Sequence, residues 1–443
     1  MRSSLVNLLL CICLLNLSKS EKLTFKNVTV RWRHNYKKGE TVATSDSLKK
    51  IIPDDERVSV EIPGSIPILY EKSVFDIPNL KSLDLYDVSL QEIKPGAFGN
   101  LPHLKWISLR KNNLTEIKTN TFSDQKITYL DLSFNSIIVL HRGAFKNFNA
   151  NLLLLANNKL TEFPSGVFEN VTIRSLILAD NLLHTIAPKA LSTIALKRLT
   201  LSNNIFDEIN PESFDMQQLV ALFLNSNLVK LLRPGDLRNL PELKKLWLAV
   251  NDLEEIPEGV FNNTKLTVLN LNLNKIAKIA SEAFDDMPVL IELHIDSNNL
   301  TQWDNNWLKG AKSLVQISVS ENQIAEIPDE AFKNYPRMMT IDLHGSYIRN
   351  ISVKGFDNLD YVDHLDLTYN EIDNWSPDLL GNVSIGRLDL TGNKLQCVEG
   401  DLKTIFRNVE YTILRENPWN EDCVKKIEEF VNNSKQYVPE DDD

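Results

Sequence analysis

The sequence has few of the residues that build common catalytic and cofactor sites. Its 443 residues include only four cysteines, seven histidines and 15 glycines. It contains no glycine-rich phosphate loop of the GxGxxG or Walker type, no nucleophile elbow, no HExxH zinc motif and no metal-type cysteine cluster. The sequence therefore predicts a protein that is not an enzyme and that uses neither a metal nor a cofactor.

Positive charge and long apolar runs are also scarce. The chain carries 48 lysines and arginines against 59 acidic residues, a net charge of −11. A negative chain repels a phosphate backbone, so nucleic acid is not an expected partner. After residue 20, no run approaches the roughly 20 apolar residues of a membrane helix, so we do not expect the chain to span a membrane.

The apolar run at the start of the chain is typical of a secretory signal peptide. Residues 1–20, MRSSLVNLLLCICLLNLSKS, place Arg2 ahead of a leucine-rich segment and the small residues Ser18 and Ser20 near a cleavage point. The pattern predicts a secreted, extracellular protein.

Removal of this segment would also remove Cys11 and Cys13. Cys397 and Cys423 would then be the remaining cysteines. An even pair of cysteines in an oxidising compartment predicts one disulfide.

One frame, L-x-x-L-x-L-x-x-N-x-L, recurs at intervals of 23 or 24 residues. A unit of this length cannot bury its leucines alone, so successive units must stack and share one elongated core. With the first leucine as position 1, fourteen copies begin at Leu80, Leu104, Ile127, Ala150, Ile173, Leu196, Leu219, Leu243, Leu266, Leu290, Leu314, Met338, Val362 and Ile385.

Two further columns keep this register. Position 9 is asparagine in twelve copies, with Val88 and Ser346 as the exceptions. Asparagine amides can bond backbone groups of neighbouring turns that no helix or long strand satisfies. Position 19 is apolar in every copy but the last, is most often phenylalanine, and is expected to close the far side of each turn.

These columns resemble the extracellular leucine-rich repeat proteins, specifically the subclass of 23–24 residues with phenylalanine near position 19. The resemblance implies an α/β solenoid: a curved horseshoe of about 15 repeats with a concave parallel β-sheet, capped at both ends. A degenerate first copy is expected at residues 57–79, with Val60, Ile62 and Phe75 in register. Toll-type receptor ectodomains and the mosquito leucine-rich immune molecules are similar, which implies recognition in innate immunity.

Each end of the solenoid needs a cap. The alternating segment LTFKNVTVRW predicts a hairpin, with its turn at KKGE, residues 37–40. ENPWNEDC, residues 416–423, resembles the C-terminal cap of the family. The chain is thus divided into a signal peptide (1–20), an N-terminal cap (21–56), the leucine-rich repeat solenoid (57–395), a C-terminal cap with one disulfide (396–434) and an acidic tail (435–443).

Position 5 of each strand faces away from the core, and there the central repeats are apolar rather than polar. A contiguous exposed apolar patch of this kind marks an interaction site, with Phe223 and Trp247 as its energetic centre. Outward residues such as Ala221 and Val268 extend it. The alternative is that these side chains pack on one another and stiffen the sheet. The predicted ligand-binding residues are Leu154, Ile177, Phe223 and Trp247, bordered by Arg198 and Lys245.

Two other clusters lie on the predicted sheet. A second aromatic and basic cluster on the early repeats comprises Trp106, Arg110, Lys111, Tyr129 and Phe134. An acidic row at position 5 comprises Asp342, Asp366 and Asp389. We interpret this row as a solvated acidic patch, partly paired with Arg387, rather than as a cation site.

Glycosylation sequons are frequent and avoid the predicted strands of the repeats. A glycan is bulky and solvated, so their placement leaves the concave face bare. A sequon at Asn374 is weakened by Pro377. The predicted glycosylation sites are Asn27, Asn113, Asn170, Asn262, Asn299, Asn350, Asn382 and Asn432.

The sequence thus predicts a secreted glycoprotein that binds a protein, or a ligand on a cell or microbial surface, through its concave face. Innate-immune recognition is one role that the resemblance implies. A component of the extracellular matrix, of cell adhesion or of guidance fits the same repeats, as does an inhibitor that wraps an enzyme. A homodimer through this face is a further form of partnership that the fold permits.

Overall fold

The computed structural model describes residues 22–34, 37–53 and 58–433. The predicted signal peptide (1–20) and acidic tail (435–443) lie outside these residues. The chain is a parallel-sheet solenoid of about 15 turns, which confirms the predicted repeat fold. It forms two compact units that divide between Thr200 and Leu201. Within the described ranges, no helix has both the length and the apolarity that crossing a bilayer requires.

An antiparallel hairpin begins the first unit. Strand Phe25–His34 pairs with strand Lys37–Ser45, and the predicted hairpin is therefore confirmed. The predicted turn at residues 37–40 is wrong, because Lys37 already pairs with His34 and the whole segment lies in the second strand.

The hairpin leads into the parallel strands of the first unit. The degenerate first copy is in register as predicted, since Val60 pairs with Leu83, and both Val60 and Ile62 are buried. These strands are Val58–Glu61, Leu80–Asp84, Trp106–Ser108, Tyr129–Asp131, Asn149–Leu154, Thr172–Ile177 and Arg198–Thr200.

The second unit repeats the same arrangement and ends in two helices, Leu402–Ile405 and Glu421–Asn433. Its leucines at positions 4 and 6, such as Leu246 and Leu248, are fully buried beneath the sheet. Its strands are Ala221–Phe223, Lys245–Trp247, Val268–Asn270, Glu292–His294, Gln316–Ser318, Arg337–Asp342, Tyr361–Asp366, Ser384–Asp389 and Val409–Ile413.

The far side of many turns is built from two-residue strands and from buried aromatic rings. Phe98, Phe122, Phe145 and Phe168 occupy position 19, and neighbouring rings lie 5.4–5.7 Å apart between centroids. This confirms the predicted role of the column. Phe75 was placed in this column wrongly: Val74 pairs with Phe98 and is buried, because the first copy is one residue shorter before this point.

The short far-side elements complete the description of the secondary structure. In the first unit they are Leu48–Lys50 (a 3₁₀ turn), Ile68–Leu69, Val74–Phe75, Glu92–Ile93, Phe98–Gly99, Glu116–Ile117, Phe122–Ser123, Val139–Leu140, Phe145–Lys146, Glu162–Phe163, Phe168–Glu169 and Thr185–Ile186. In the second unit they are Glu255–Ile256, Lys278–Ile279, Glu326–Ile327 and Asn350–Ile351.

The position 9 asparagines form a buried ladder of hydrogen bonds. Asn251 Nδ2 donates to the carbonyl oxygens of Leu224 and Leu248, both at 3.0 Å, while Asn251 Oδ1 accepts from the amide of Val229 at 3.0 Å. One side chain thus bonds its own turn and the preceding turn. Ser346, which replaces asparagine, donates to the carbonyl of Val319 at 3.0 Å. The predicted role of this column is confirmed.

The residue before each ladder position has left-handed backbone. Val250, Leu273 and Phe134 have φ values of 58°, 54° and 54°, although β-branched and bulky side chains rarely adopt this conformation. In other copies the position holds a residue that tolerates it, such as Asn157 or Gly392. The sharp turn after each strand is therefore imposed by the repeat rather than by the local residue.

The C-terminal cap covers the last turn with a helix. Cys397 and Cys423 are joined by a disulfide, with their Cα atoms 5.4 Å apart. In the helix Glu421–Asn433, Val424 is exposed. The buried face of the helix consists of Cys423, Ile427 and Phe430.

Candidate functional site

The Trp247 side chain lies on the outward face of the second unit's sheet. Leu246 and Leu248 on either side of it are fully buried, so the alternation of the strand turns the indole away from the core. Phe223 occupies the same position on the adjacent strand, in register with Trp247. The two rings stack with centroids 4.5 Å apart and planes inclined by 12°, and both are half-buried. The stack is the lateral packing that the alternative expected, and the role of the pair as an interaction surface stays a prediction.

Lysine borders this pair as the sequence predicted. The Nζ atom of Lys245 lies 5.7 Å from the centre of the Trp247 ring. Lys245 itself lies in register between Ala221 and Val268. Both of these residues were expected to extend the exposed patch, and that expectation is wrong, since each is only 6% exposed. The aliphatic stem of a lysine can cover small neighbours while its ammonium group stays in water.

The other predicted binding residues lie in the first unit. Leu154 and Ile177 pair in register at position 5 of adjacent strands, and both are half-buried on the outward face. Arg198, at position 3, is exposed and lies in register with Ser175. That these residues and the Phe223–Trp247 pair form one patch stays a prediction.

The second aromatic cluster contains a stacked pair of rings on the first unit's sheet. Trp106 and Tyr129 are paired at position 3 of adjacent strands of the first unit, and their rings stack with centroids 3.9 Å apart. Trp106 is 45% exposed. The Tyr129 hydroxyl donates to Asp131 at 2.9 Å, and burial, reinforced by this carboxylate, raises the pKa of Tyr129 above its ordinary range.

The remaining members of that cluster lie at the other end of the strands. The Arg110 guanidinium lies 4.5 Å from the centre of the Phe134 ring, which is 45% exposed. Lys111 forms an ion pair with Asp87 at 2.7 Å and lies over Tyr86. The cluster is thus two groups at opposite ends of the same strands, and sequence spacing alone did not separate them.

A cavity of about 660 Å³ opens beside Trp106 on the first unit's sheet. Position 3 on the two preceding strands is occupied by Ser59 and Ser82, which are in register with each other and, through Ser82, with Trp106. The lining of the cavity comprises Ser59, Lys81, Ser82, Asp84, Lys105, Trp106, Thr128, Tyr129, Asn151 and Leu152. Ser59 and Ser82 were not among the predicted site residues, although the repeat register places them beside Trp106.

The carboxylates of the acidic row in the second unit accept hydrogen bonds from groups of their own strands and strand ends. Asp366 accepts hydrogen bonds from the amide and hydroxyl of Thr368 at 2.9 and 2.6 Å, and Arg387 donates to Asp389 at 3.1 Å. Burial, followed by the neighbouring Asp366, raises the pKa of Asp342. Across the described part of the chain, no three histidine, cysteine or acidic side chains are grouped so that they could hold a metal ion.

The sequon asparagines described by the structure are all exposed. Asn27 lies in the hairpin, and those in the repeats lie outside the strands of the main sheet. The side chain of Asn432 lies outside the described residues. The exposed sequon residues are Asn27, Asn113, Asn170, Asn262, Asn299, Asn350, Asn374 and Asn382.

The sequence matches the Leucine rich repeat family model in four segments that together span half of the chain. No curated protein matches it. The matched residues are 78–137, 194–253, 241–300 and 336–395.

Several solved structures have the same fold. A leucine-rich repeat protein of Leptospira interrogans is 23% identical, with 82% of this chain and 91% of that one covered and a TM-score of 0.61. Toll in the Drosophila Toll–Spatzle complex is 21% identical, with a TM-score of 0.65. The match covers 78% of this chain and 48% of the Toll chain. The TLR13–ssRNA13 complex is 18% identical, with coverage of 81% and 61% and a TM-score of 0.59. At these identities the likeness shows a shared fold alone.

Proposed function

Because the chain belongs to the leucine-rich repeat family, we propose that it is a secreted glycoprotein that binds a ligand through the outward face of its sheet. The ligand is a protein or a molecule on a cell or microbial surface. The observation that carries the proposal is the stacked Phe223–Trp247 pair, which is only half-buried and is bordered by Lys245. Aromatic side chains with a basic neighbour are the residues most often found at the energetic centre of interfaces.

Secretion is supported by three features. The first 20 residues have the pattern of a signal peptide, the described sequon asparagines are exposed, and Cys397 and Cys423 form a disulfide, a bond that persists in oxidising compartments. Glycans on these asparagines would leave the main-sheet strands of the repeats uncovered, because the sequons in the described repeats lie elsewhere.

A role in innate-immune recognition is supported by the fold shared with Toll and TLR13. A protein ligand is favoured over a nucleic acid because the chain carries a net charge of −11. A matrix or adhesion component, an enzyme inhibitor and a homodimer would use the same sheet face, and the identity of the captured partner distinguishes them.

Capture of partners from the extracellular fluid of the source organism tests the proposal. The wild-type protein is compared with a Phe223→Asp, Trp247→Asp double variant, matched in secretion and melting temperature. We expect a partner to bind the wild type and to be lost from the double variant, because two carboxylates would have to be desolvated in the interface.

A second double variant, Leu231→Asp, Val353→Asp, is the matched control. It adds the same two charges to exposed apolar positions of the same unit that lie outside the sheet strands. Retention of the partner by the control and loss from the Phe223 and Trp247 variant would support the site. Equal capture by all three proteins would show that the stacked pair is packing and not a binding surface.

A further inference from the structure

The first unit contains a slot with one aromatic wall. Tyr129 covers one face of the Trp106 indole, so the uncovered face lies on the side of Ser82. Ser82 and the adjacent Ser59 are too small to fill the space beside a ring. At the usual spacing of about 4.8 Å between strands, two successive serines leave a gap roughly 10 Å wide. The cavity of about 660 Å³ includes this gap and continues past Trp106 and Tyr129 to Asn151 and Leu152, and it is of the size that small ligands occupy.

The walls of the slot combine an aromatic face with neutral polar groups. An aromatic face is electron-rich and attracts the weakly positive C–H groups of a flat, saturated ring. Hydroxyl and amide groups of Ser59, Ser82, Thr128 and Asn151 line the same space and both donate and accept hydrogen bonds. An apolar peptide side chain would leave these groups without partners, whereas the hydroxyls of a sugar would satisfy them.

Two ammonium groups complete the lining. Lys81 and Lys105 follow one another at position 2, both are exposed, and within the described residues neither forms an ion pair. The one carboxylate of the lining, Asp84, lies further along its strand and accepts the amide of Tyr86 at 3.1 Å. An anionic group is therefore favoured at the lysine end of the slot.

We propose that this slot binds a saccharide that carries a carboxylate or sulfate group. The sugar ring packs on the free face of Trp106 above Ser82 and Ser59, and its acidic group lies between Lys81 and Lys105. The slot shares no residue with the Phe223–Trp247 pair, so a test of one proposal does not decide the other.

Calorimetric titration of the full chain tests this assignment. The probes are a hyaluronan tetrasaccharide, which carries carboxylates, a heparin tetrasaccharide, which also carries sulfates, and the neutral chitotetraose. We expect an acidic tetrasaccharide to bind more tightly than chitotetraose. Trp106→Ala should weaken its binding about tenfold or more, and the Lys81→Gln, Lys105→Gln double variant by about threefold per charge.

Ser82→Phe fills the slot and removes one lining hydroxyl, and Ser82→Ala removes the same hydroxyl without filling the slot. A phenylalanine beside Trp106 extends the aromatic row, which sheets tolerate, while it fills the gap. We expect binding to fall about tenfold or more, whereas Ser82→Ala, which leaves the gap open, should keep it within about threefold. Lys159→Gln, at an exposed lysine outside the sheet strands, is the charge control and should bind as the wild type does.

Three results would overturn the proposal. The first is the absence of binding by all three tetrasaccharides. The second is binding that Trp106→Ala and Ser82→Phe leave unchanged. The third is equal or tighter binding of a hexaglutamate peptide or a short RNA oligonucleotide, which would make the slot a general anion site rather than a saccharide site.

Discussion

The two aromatic pairs of this protein are built in the same way and yet differ in what they leave accessible. Trp106–Tyr129 in the first unit and Phe223–Trp247 in the second are each formed by in-register residues of adjacent parallel strands. Their centroids lie 3.9 and 4.5 Å apart. Trp106 is nevertheless 45% exposed, whereas the Trp247 side chain is less exposed.

The neighbours in the row account for the difference. The next residue beside Trp106 is Ser82, whereas Trp247 has Asn270 beside it and the Lys245 ammonium above its ring. In a ladder of strands, stacking is set by register, but the exposure of a ring is set by the size of the residue on the next strand. The first pair therefore borders a slot, and the second presents a more closed surface.

The largest expected effect comes from breaking the asparagine ladder beneath the Phe223–Trp247 pair. Asn251→Ala removes the side chain that bonds the turns carrying Phe223 and Trp247, and it leaves the Val229 amide and two carbonyl groups without those partners. We expect a loss of about 2 kcal/mol or more in the free energy of unfolding, and a change in the near-ultraviolet dichroism of the stacked rings. Urea unfolding measures the first quantity.

Asn251→Ser separates hydrogen bonding from side-chain volume at this position. Serine occupies the ladder naturally at Ser346, where its hydroxyl donates to a carbonyl at 3.0 Å. We expect Asn251→Ser to recover part of the stability lost in Asn251→Ala. Equal losses in the two variants would mean that volume, and not hydrogen bonding, is what the ladder supplies.

A smaller loss of stability is expected when either tryptophan is removed, and its size should differ between the two. Trp247→Ala removes a half-buried ring and is expected to cost about 1–2 kcal/mol of stability, whereas Trp106→Ala removes a more exposed one and should cost less than about 1 kcal/mol. Chemical unfolding of the two variants in parallel measures the difference. A larger loss from Trp106→Ala would show that its stack on Tyr129 is structural, and the contrast drawn between the pairs would be wrong.

The smallest effect concerns the acidic row of the second unit. Because burial raises the pKa of Asp342, the folded chain binds this proton more tightly than the unfolded chain does. Stability should therefore fall as pH rises from the ordinary aspartate range through the raised pKa. Asp342→Asn should flatten this part of the profile and raise the melting temperature slightly at neutral pH.

Melting curves between about pH 4 and pH 7.5 measure this profile. Asp373→Asn, at an exposed aspartate of the same unit, is the matched control for the charge change. If both variants alter the profile equally, the effect is one of net charge and not of the burial of Asp342.

The repeat itself could be predicted from the sequence because one period fixes both faces of every turn. The leucine, asparagine and phenylalanine columns all occupy their expected places, and Val60 and Ile62 extended the pattern into a degenerate copy. The predicted placement of Phe75 was wrong because one residue is missing from that copy. A period counted along the chain cannot locate a deletion within one copy.

The surface was less predictable, because alternation gives the direction of a side chain but not what covers it. Ala221 and Val268 point outward and are buried, with Lys245 between them. Conversely, Trp106 is open because Ser82 is small, and that requires reading one position across strands as well as along them. The left-handed residue before each ladder position also left a signal, since glycine and asparagine recur there, as at Gly392 and Asn157.

The asparagine ladder also determines how such a chain can change in length. Asn251 bonds only its own turn and the one before it, and Asn112, Asn370 and Asn393 have comparable partners. Duplication or deletion of one whole repeat in the gene would rejoin equivalent partners, whereas a shift by part of a repeat would misalign them. Duplication or deletion of whole repeats can therefore add or remove complete strands. Such a change places new neighbours beside a ring such as Trp106, while the asparagine ladder beneath the ring stays the same.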